Sequence, residues 1–167
     1  MRKHLPALLT LTLLAAAAAA ALPPTGQEGK DAPHASHIAV TPDQMKWGVG
    51  PQSLPAGAQL AVIEGDPSKA GAFTIRLKFP DGFRVAPHWH PADEKVTVLR
   101  GTLGMGAGEK FDAAAGHELP AGSFAVMPAG VRHYAWAKGE TVIQVSSTGP
   151  FQVNYVNAAD DPRKAAQ

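Results

Sequence analysis

The sequence predicts an all-β domain, arranged as a sandwich or a barrel of short strands. In residues 73–79 (FTIRLKF), apolar and polar side chains alternate, which is the period of a strand with one buried face. After the first 21 residues, no stretch shows the longer apolar period of an amphipathic helix. The 17 glycines and 15 prolines lie largely between short apolar runs, which indicates many tight turns.

Further strands are predicted in order along the chain, at residues 60–64, 95–100, 124–127, 133–137, 141–147 and 151–156. Turn sequences separate them, at residues 65–67, 80–82, 104–106, 120–122 and 149–150. The glycine-rich run 101–108 is followed by no helical pattern. We therefore interpret it as a hairpin loop rather than a phosphate-binding loop.

The first 21 residues have the layout of a secretory signal peptide. A basic start at residues 2–4 is followed by apolar residues 5–14 and an alanine-rich run, 15–21, which offers several cleavage sites. A transmembrane anchor is the alternative, but the run barely reaches spanning length and residues 22–24 (LPP) would end a helix. We expect a periplasmic or secreted protein that keeps no membrane anchor after cleavage.

The rest of the chain divides into three parts by composition. Residues 22–36 are rich in proline, glycine and charge and are predicted to be a flexible leader. Residues 37–156 carry the strand patterns and form the predicted domain, and residues 157–167 form a polar, flexible C-terminal tail. The chain that remains after cleavage is long enough for one hydrophobic core.

Composition excludes several classes of function. Loss of Arg2 and Lys3 with the signal leaves 13 basic residues against 14 acidic ones, so the mature protein has no basic surplus for binding nucleic acid. The sequence contains no cysteine, which excludes disulfides, thiolate metal sites and cysteine nucleophiles. No serine-hydrolase or nucleotide-binding motif is present either.

Two histidines and a glutamate make residues 82–101 the most informative segment. His88 and His90 are two apart in an extended segment, so their imidazoles face the same side. Glu94 follows at an even offset after a bend, and His133 on a later strand is the candidate fourth residue. Imidazole nitrogens and a carboxylate oxygen that converge are ligands for a divalent transition metal.

These segments resemble the two motifs of the cupin family. Residues 82–101 fit the first motif, G-x5-H-x-H-x3-E-x6-G, at every fixed position: Gly82, His88, His90, Glu94 and Gly101. Residues 122–137 fit the second motif, G-x5-P-x-G-x2-H-x3-N, up to its last position, where Ala137 replaces Asn. That Asn supports the site in cupins and is not a ligand. A weaker likeness connects the chain with ChrR-type cupin domains.

The resemblance implies a double-stranded β-helix, the jelly-roll barrel of cupins, with one metal ion inside. Carried over by position, the ligands are His88, His90, Glu94 and His133. This donor set suits Zn, Mn, Fe, Ni or Cu and needs no organic cofactor. Glu94 is also the candidate catalytic residue, because a carboxylate ligand can change its coordination when substrate arrives.

Two classes of function are compatible with such a site. In the first, the protein is a small-molecule metalloenzyme, with dioxygenase-like or other Lewis-acid chemistry and an unidentified substrate. In the second, it is a non-catalytic module for metal-dependent ligand binding or sensing; a purely structural metal is the third option. For an enzyme, the candidate inward-facing helpers are Gln144, Ser146 and Tyr155.

The remaining aromatic and histidine residues have ordinary interpretations. Tyr134 and Trp136 alternate with His133 and are expected to face outward, where an apolar face would be consistent with a homodimer. Trp89 is expected to pack on the side of its strand opposite the two histidines. The histidines outside the motifs are predicted to lie on the surface, at positions His34, His37 and His117.

Export is directly testable. We expect cleavage near Ala21, because the alanine-rich run follows the apolar segment at the position that signal peptidases require. Mass spectrometry of the protein from its native host should give an N-terminus between Ala18 and Pro24. Recovery of intact Met1 in a membrane fraction would contradict the prediction.

Overall fold

The computed structural model describes residues 37–165, and nearly all of their regular structure is strand. The strands are β1 (Gly48–Val49), β2 (Gln59–Glu64), β3 (Gly71–Phe79), β4 (Arg84–Trp89), β5 (Glu94–Ala107), β6 (His117–Pro120), β7 (Phe124–Met127), β8 (His133–Gly149) and β9 (Asn154–Tyr155). Short 3₁₀ turns occupy Pro42–Gln44, Ala113–Ala115 and Ala158–Asp160, and one helix, α1, spans Pro162–Ala165. Within this part of the chain, no helix has the length and apolar character needed to cross a membrane.

The alternating pattern of β3 buries one face of that strand, as predicted. Its four apolar side chains are at most 7% exposed, at positions Phe73, Ile75, Leu77 and Phe79. They belong to one core cluster that also takes in side chains from β4, β5 and β8. Burial of the apolar face is what makes the two-residue period specify a strand here.

Two sheets form because β5 and β8 run side by side and each is long enough to serve both. The first half of β5 pairs with β7 and with the second half of β8, which leads on to β3, β2 and β1. The second half of β5 pairs with β6 and with the first half of β8, which leads on to β4 and β9. The apolar core lies between these sheets, and the all-β jelly roll is confirmed.

Both long strands change sheet at a glycine. Gly101 in β5 and Gly139 in β8 have φ angles of +74° and +73°, and the β5–β8 register shifts on either side of Arg100. The fully buried hydroxyl of Thr141 lies beside this bend, 3.0 Å from the carbonyl oxygen of Thr102 and 3.1 Å from that of Gly139. The expected tight turn at Gly101 is therefore a bulge inside one strand.

The hairpin loop predicted at residues 101–108 is wrong, as are the separate strands predicted at 133–137 and 141–147. β5 continues to Ala107, and β8 is a single strand. Gly104 pairs with Trp136 and Gly106 with Tyr134, and a Cβ atom on either glycine would overlap the ring of its partner. These glycines make room for aromatic rings within the sheet and do not turn the chain.

The outward aromatic face of β8 is covered by the chain itself. Tyr134 is only 1% exposed, and its hydroxyl donates a hydrogen bond of 2.6 Å to the carbonyl oxygen of Asp112. Phe111 packs on Tyr134 and Trp136, with ring centroids 5.0 Å and 5.8 Å away. The expectation that Tyr134 is exposed to a partner is wrong, and a homodimer stays a prediction without this support.

The predicted domain limits concern both ends of the chain. The signal peptide at 1–21, the leader at 22–36 and His34 lie outside the described residues. At the other end, Arg163 forms an ion pair of 2.7 Å with Asp161 and donates a hydrogen bond of 3.0 Å to the carbonyl oxygen of Val153. The limits of the leader and of the tail stay predictions.

The glycine–aromatic packing predicts a specific loss of stability. Gly106→Ala should lower the free energy of unfolding by about 1–3 kcal/mol, because the new methyl group must displace the Tyr134 ring. Gly48→Ala in β1 is the matched control, since only the carbonyl oxygen of Leu60 lies near its added Cβ atom, at 3.8 Å. Urea unfolding should place that control within about 0.5 kcal/mol of the wild type. Equal losses from both changes would contradict the packing argument.

Candidate metal centre

The structure brings the four predicted ligand residues together inside the barrel. His88 lies near the end of β4 and is paired in register with His133, the first residue of β8. His90 follows β4 by one residue, and Glu94 begins β5. The four side chains therefore come from three strand ends and one short connection. All four residues are buried, with exposed fractions between 1% and 8%.

Three imidazole nitrogens, one from each histidine, lie within 4.8 Å of one another. The Oε2 atom of Glu94 lies 3.4 Å from Nε2 of His133 and 3.6 Å from Nε2 of His90. The predicted convergence of His88, His90 and His133 is thus confirmed at the level of geometry. The carboxylate lies beside the cluster, and its service as a ligand is a further step.

Each histidine ring is held by a hydrogen bond to a main-chain carbonyl oxygen. The Nδ1–O distances are 2.7 Å from His88 to Ala86, 2.7 Å from His90 to Gln152 and 3.0 Å from His133 to Val131. A carbonyl oxygen can only accept, so Nδ1 carries the proton in each ring. In a neutral imidazole the lone pair is then on Nε2, the arrangement that carbonyl partners impose on metal-binding histidines.

This arrangement leaves lone pairs without partners in a buried place. Nε2 of His90 and Nε2 of His133 are buried and have no hydrogen-bond donor. Both face Oε2 of Glu94, which as a carboxylate oxygen has only lone pairs to offer. Buried acceptors that face one another need a proton or a metal cation between them. The donor set therefore fits a transition metal ion.

The protonation tendencies of the site agree with this fit. Burial, with the neighbouring imidazoles His133 and His90 as further causes, lowers the pKa of His88 to about 3. Burial also lowers the pKa of His90. For Glu94, burial by itself raises the pKa, but the contacts with His133 and His90 outweigh it, and the net shift is downward. Neutral imidazoles and an ionised carboxylate are the forms that bind metal.

A pair of cross-links joins the two loops that carry ligands. Oδ1 of Asp93 accepts a hydrogen bond of 2.9 Å from the amide of Ala129, and the carbonyl oxygen of His90 accepts one of 2.9 Å from the amide of Gly130. Ser147 donates a third hydrogen bond, of 2.7 Å, to the carbonyl oxygen of Asp93. Sequence analysis missed Asp93, because its partner lies 36 positions away and no motif position marks it.

The helpers predicted to face inward are placed differently. Gln144 and Ser146 alternate along β8 with buried residues and point to the outer face, where they contact Arg76 and Thr74. The prediction for these two is wrong, because the period of β8 puts odd-numbered residues inside. The hydroxyl of Tyr155 donates a hydrogen bond of 2.8 Å to the carbonyl oxygen of Ser53, which holds it away from the metal centre.

Phe151 contacts the site although the sequence gave no sign of it. Its ring stacks on His90 with centroids 4.4 Å apart, and it meets Phe73 edge-on at 5.2 Å. This packing fixes the plane of the His90 ring from the side opposite the cluster. Outside the motifs, His37 and His117 are exposed, as predicted.

A cavity of about 220 Å³ opens beside the histidine cluster. Its wall is formed mainly by core side chains, and His88, His90, Glu94 and His133 all contribute to the lining. The remaining space is therefore continuous with the candidate metal centre. A molecule in this cavity would touch the metal with one end and apolar side chains with the rest.

Comparison with known families assigns the chain. The model of a family described as a domain of unknown function, DUF4437, matches residues 39–165. This chain belongs to that family. No protein with a curated description matches the sequence.

Comparison with solved structures places this DUF4437 protein among the cupins. The polyketide cyclase RemF from Streptomyces resistomycificus aligns with a TM-score of 0.62 at 16% identity, over 79% of this chain and 94% of that chain. An RmlC-like cupin from Shewanella frigidimarina aligns with a TM-score of 0.52 at 16% identity, over 69% of this chain and 93% of that chain. The fold is that of a cupin, as the motifs predicted.

A third structure shares the fold. It comes from Methylibium petroleiphilum and has been provisionally described as an acetylacetone dioxygenase. It aligns with a TM-score of 0.58 at 22% identity, over 76% of this chain and 85% of that chain. At identities this low, the likeness concerns the arrangement of strands.

The hydrogen-bonded histidines predict a loss of metal binding on substitution. His88→Ala, His90→Ala and His133→Ala should each lower the metal affinity of this DUF4437 protein at least about tenfold, because each removes a pre-oriented lone pair. Elemental analysis and competition with a chromophoric chelator measure the effect. The exposed His117→Ala is the control and should keep wild-type metal content. The same loss from His117→Ala would show that metal binds elsewhere.

Proposed function

We propose that this protein is an exported single-domain cupin that binds one divalent transition metal ion through His88, His90, His133 and Glu94. The observation that carries the proposal is the convergence of buried lone pairs on one point, with no donor among the described residues to match those of His90 and His133. Zn, Mn, Fe, Ni and Cu all accept this donor set.

The place of Glu94 supports its role as the fourth ligand. Metal–ligand bonds of about 2.0–2.2 Å put neighbouring ligand atoms roughly 3–3.5 Å apart around one ion. Oε2 of Glu94 lies 3.4 Å from Nε2 of His133 and 3.6 Å from Nε2 of His90, close to that spacing. The carboxylate would also offset part of the charge of the ion in a buried site.

The function we favour is that of a small-molecule metalloenzyme. A metal held by three imidazoles and one carboxylate supplies Lewis-acid chemistry or oxygen activation at its free positions. The chain contributes rings fixed by main-chain carbonyls, a carboxylate that can change its contacts, and a cavity beside both. Neighbours of the same fold include a polyketide cyclase and the protein described as an acetylacetone dioxygenase, both named for reactions of small organic molecules.

A non-catalytic module for metal-dependent ligand binding or sensing is the alternative. The cavity serves this function equally well, since capture of a small molecule needs the pocket and the metal but no turnover. A purely structural metal is less consistent with the site, because a closed structural centre has no use for a cavity of about 220 Å³ at its ligands. Both favoured functions take a small-molecule partner.

Export to the periplasm or the outside of the cell remains part of the proposal. It is supported by the sequence of residues 1–21. A site outside the cytoplasm would draw its metal and its small molecule from that compartment.

Glu94→Gln distinguishes a working site from a structural one. In a catalytic or ligand-binding site, the variant should keep part of its metal through the three imidazoles but lose turnover or the binding of small chelating acids. In a structural site, it should mainly lower the melting temperature, as chelator treatment does in the wild type. The measurements are metal content, dioxygen uptake with small acids and phenols, and thermal unfolding.

Glu118→Gln is the matched control for this experiment. Glu118 is exposed and pairs with Lys138 at 2.9 Å, far along β6 from the histidines. It should leave metal content, ligand binding and melting temperature unchanged. A Glu94→Gln protein that keeps full ligand binding and differs only in melting temperature would contradict both favoured functions.

A further inference from the structure

We propose that the cavity takes a small, mainly hydrocarbon molecule with one singly charged chelating group and no second charge. The inference rests on the proposed metal site, which would bind the chelating group. It identifies the class of ligand for that site from the chemistry of the cavity wall. Dicarboxylates, amino acids and sugars are excluded by the same chemistry.

The wall beyond the metal ligands is almost entirely apolar. Side chains from the interior faces of four strands form it, among them Ile75, Leu77, Val96, Leu103, Met105 and Ile143. Apart from the four candidate ligands, only Ser53 and Ser68 bring a side-chain polar atom to the lining, and within residues 37–165 no lysine or arginine takes part. A second polar group on a bound molecule would therefore lose its water without gaining a partner.

The charge of the site selects the chelating group. A divalent ion with one carboxylate and three neutral imidazoles keeps a single positive charge in a buried place. One anionic group, such as an enolate, a hydroxamate or a carboxylate, neutralises that charge. A second anionic group has no cationic side chain to meet it, and an unpaired buried charge is strongly unfavourable.

The mouth of the cavity lies at three loops on one end of the barrel. The lining residues with appreciable exposure are Ser53, Pro67 and Ser68, in the segments that connect β1 to β2 and β2 to β3. Phe151 completes the rim next to His90. The serines thus stand at the entrance, where water reaches them, and the space behind them is hydrocarbon.

The size of the cavity limits the molecule. An apolar cavity of about 150 Å³ lined by Leu, Ile and Phe holds one benzene. At about 220 Å³, this cavity has room for a six-carbon ring or chain together with a small chelating group. Drug-sized molecules need roughly 300 Å³ or more and would not fit without movement of the wall.

The test uses the Co(II)-loaded protein and a series of hydroxamates that share one chelating group. The probes are acetohydroxamate, butanohydroxamate, hexanohydroxamate, benzohydroxamate and succinic acid monohydroxamate, titrated by the change in the visible spectrum. Affinity relative to free Co(II) should rise about fourfold for each added CH2 until the cavity is full. Succinic acid monohydroxamate, which replaces the terminal methyl of butanohydroxamate by a carboxylate, should bind at least about tenfold more weakly than butanohydroxamate.

Two variants change the cavity without touching a candidate ligand. Ala135→Leu fills it and should abolish the gain from longer chains while leaving acetohydroxamate affinity within about twofold. Met105→Ala enlarges it and should extend the gain to longer chains. Ala72→Leu, on an exposed position of β3, is the matched control and should behave as the wild type.

A second arm keeps the proposal testable without metal. Toluene should raise the melting temperature of the metal-free wild type, because it binds the folded state alone, and Ala135→Leu should remove that rise. Failure of the protein to retain Co(II), together with a toluene effect, would reject the metal site and keep the apolar cavity. Equal affinities across the hydroxamate series, or no toluene effect, would overturn the proposal even in a protein that holds metal well.

Discussion

Three hydrogen bonds from imidazole N–H groups to main-chain carbonyl oxygens determine what the interior of this barrel can do. They fix the tautomer of each ring and direct the lone pairs of Nε2 inward. Two of the acceptors, Ala86 and Val131, lie two residues before their histidines, so strand geometry supplies them locally. The third, Gln152, comes from a segment 62 residues away and ties the site to the closing end of the barrel.

The site and the core compete for the same residues. Side chains such as Ile75 and Val96 belong to the apolar cluster that holds the sheets together and also line the cavity. An empty apolar volume weakens packing, since its lining loses contacts on one side. The compensation lies in the sheets themselves, where β5 and β8 pair over almost their entire lengths. A hollow core can persist because the long ladder does not depend on filling it.

The outer face of β8 shows how the same ladder excludes water on the other side. The rings of Tyr134 and Trp136 lie over glycines of β5, and the loop after β5 covers them through Phe111 and Asp112. An aromatic ring over a strand glycine buries main chain that would otherwise be exposed. His133, between these strands, is thus only 1% exposed.

The sequence by itself determined the fold class, the barrel motifs and the four residues that converge in the interior. It could do so because alternation along a strand is local, and because His88, His90 and Glu94 lie within seven residues of one another. The tertiary structure decided which glycines turn and which receive a ring, since Gly104 has a turn-like sequence but lies opposite Trp136. It also decided the carbonyl acceptor of His90 and the link from Asp93 to Ala129. The physical reason is the same in each case, because these contacts join residues far apart in the chain and depend on the register of strands, which no local pattern records.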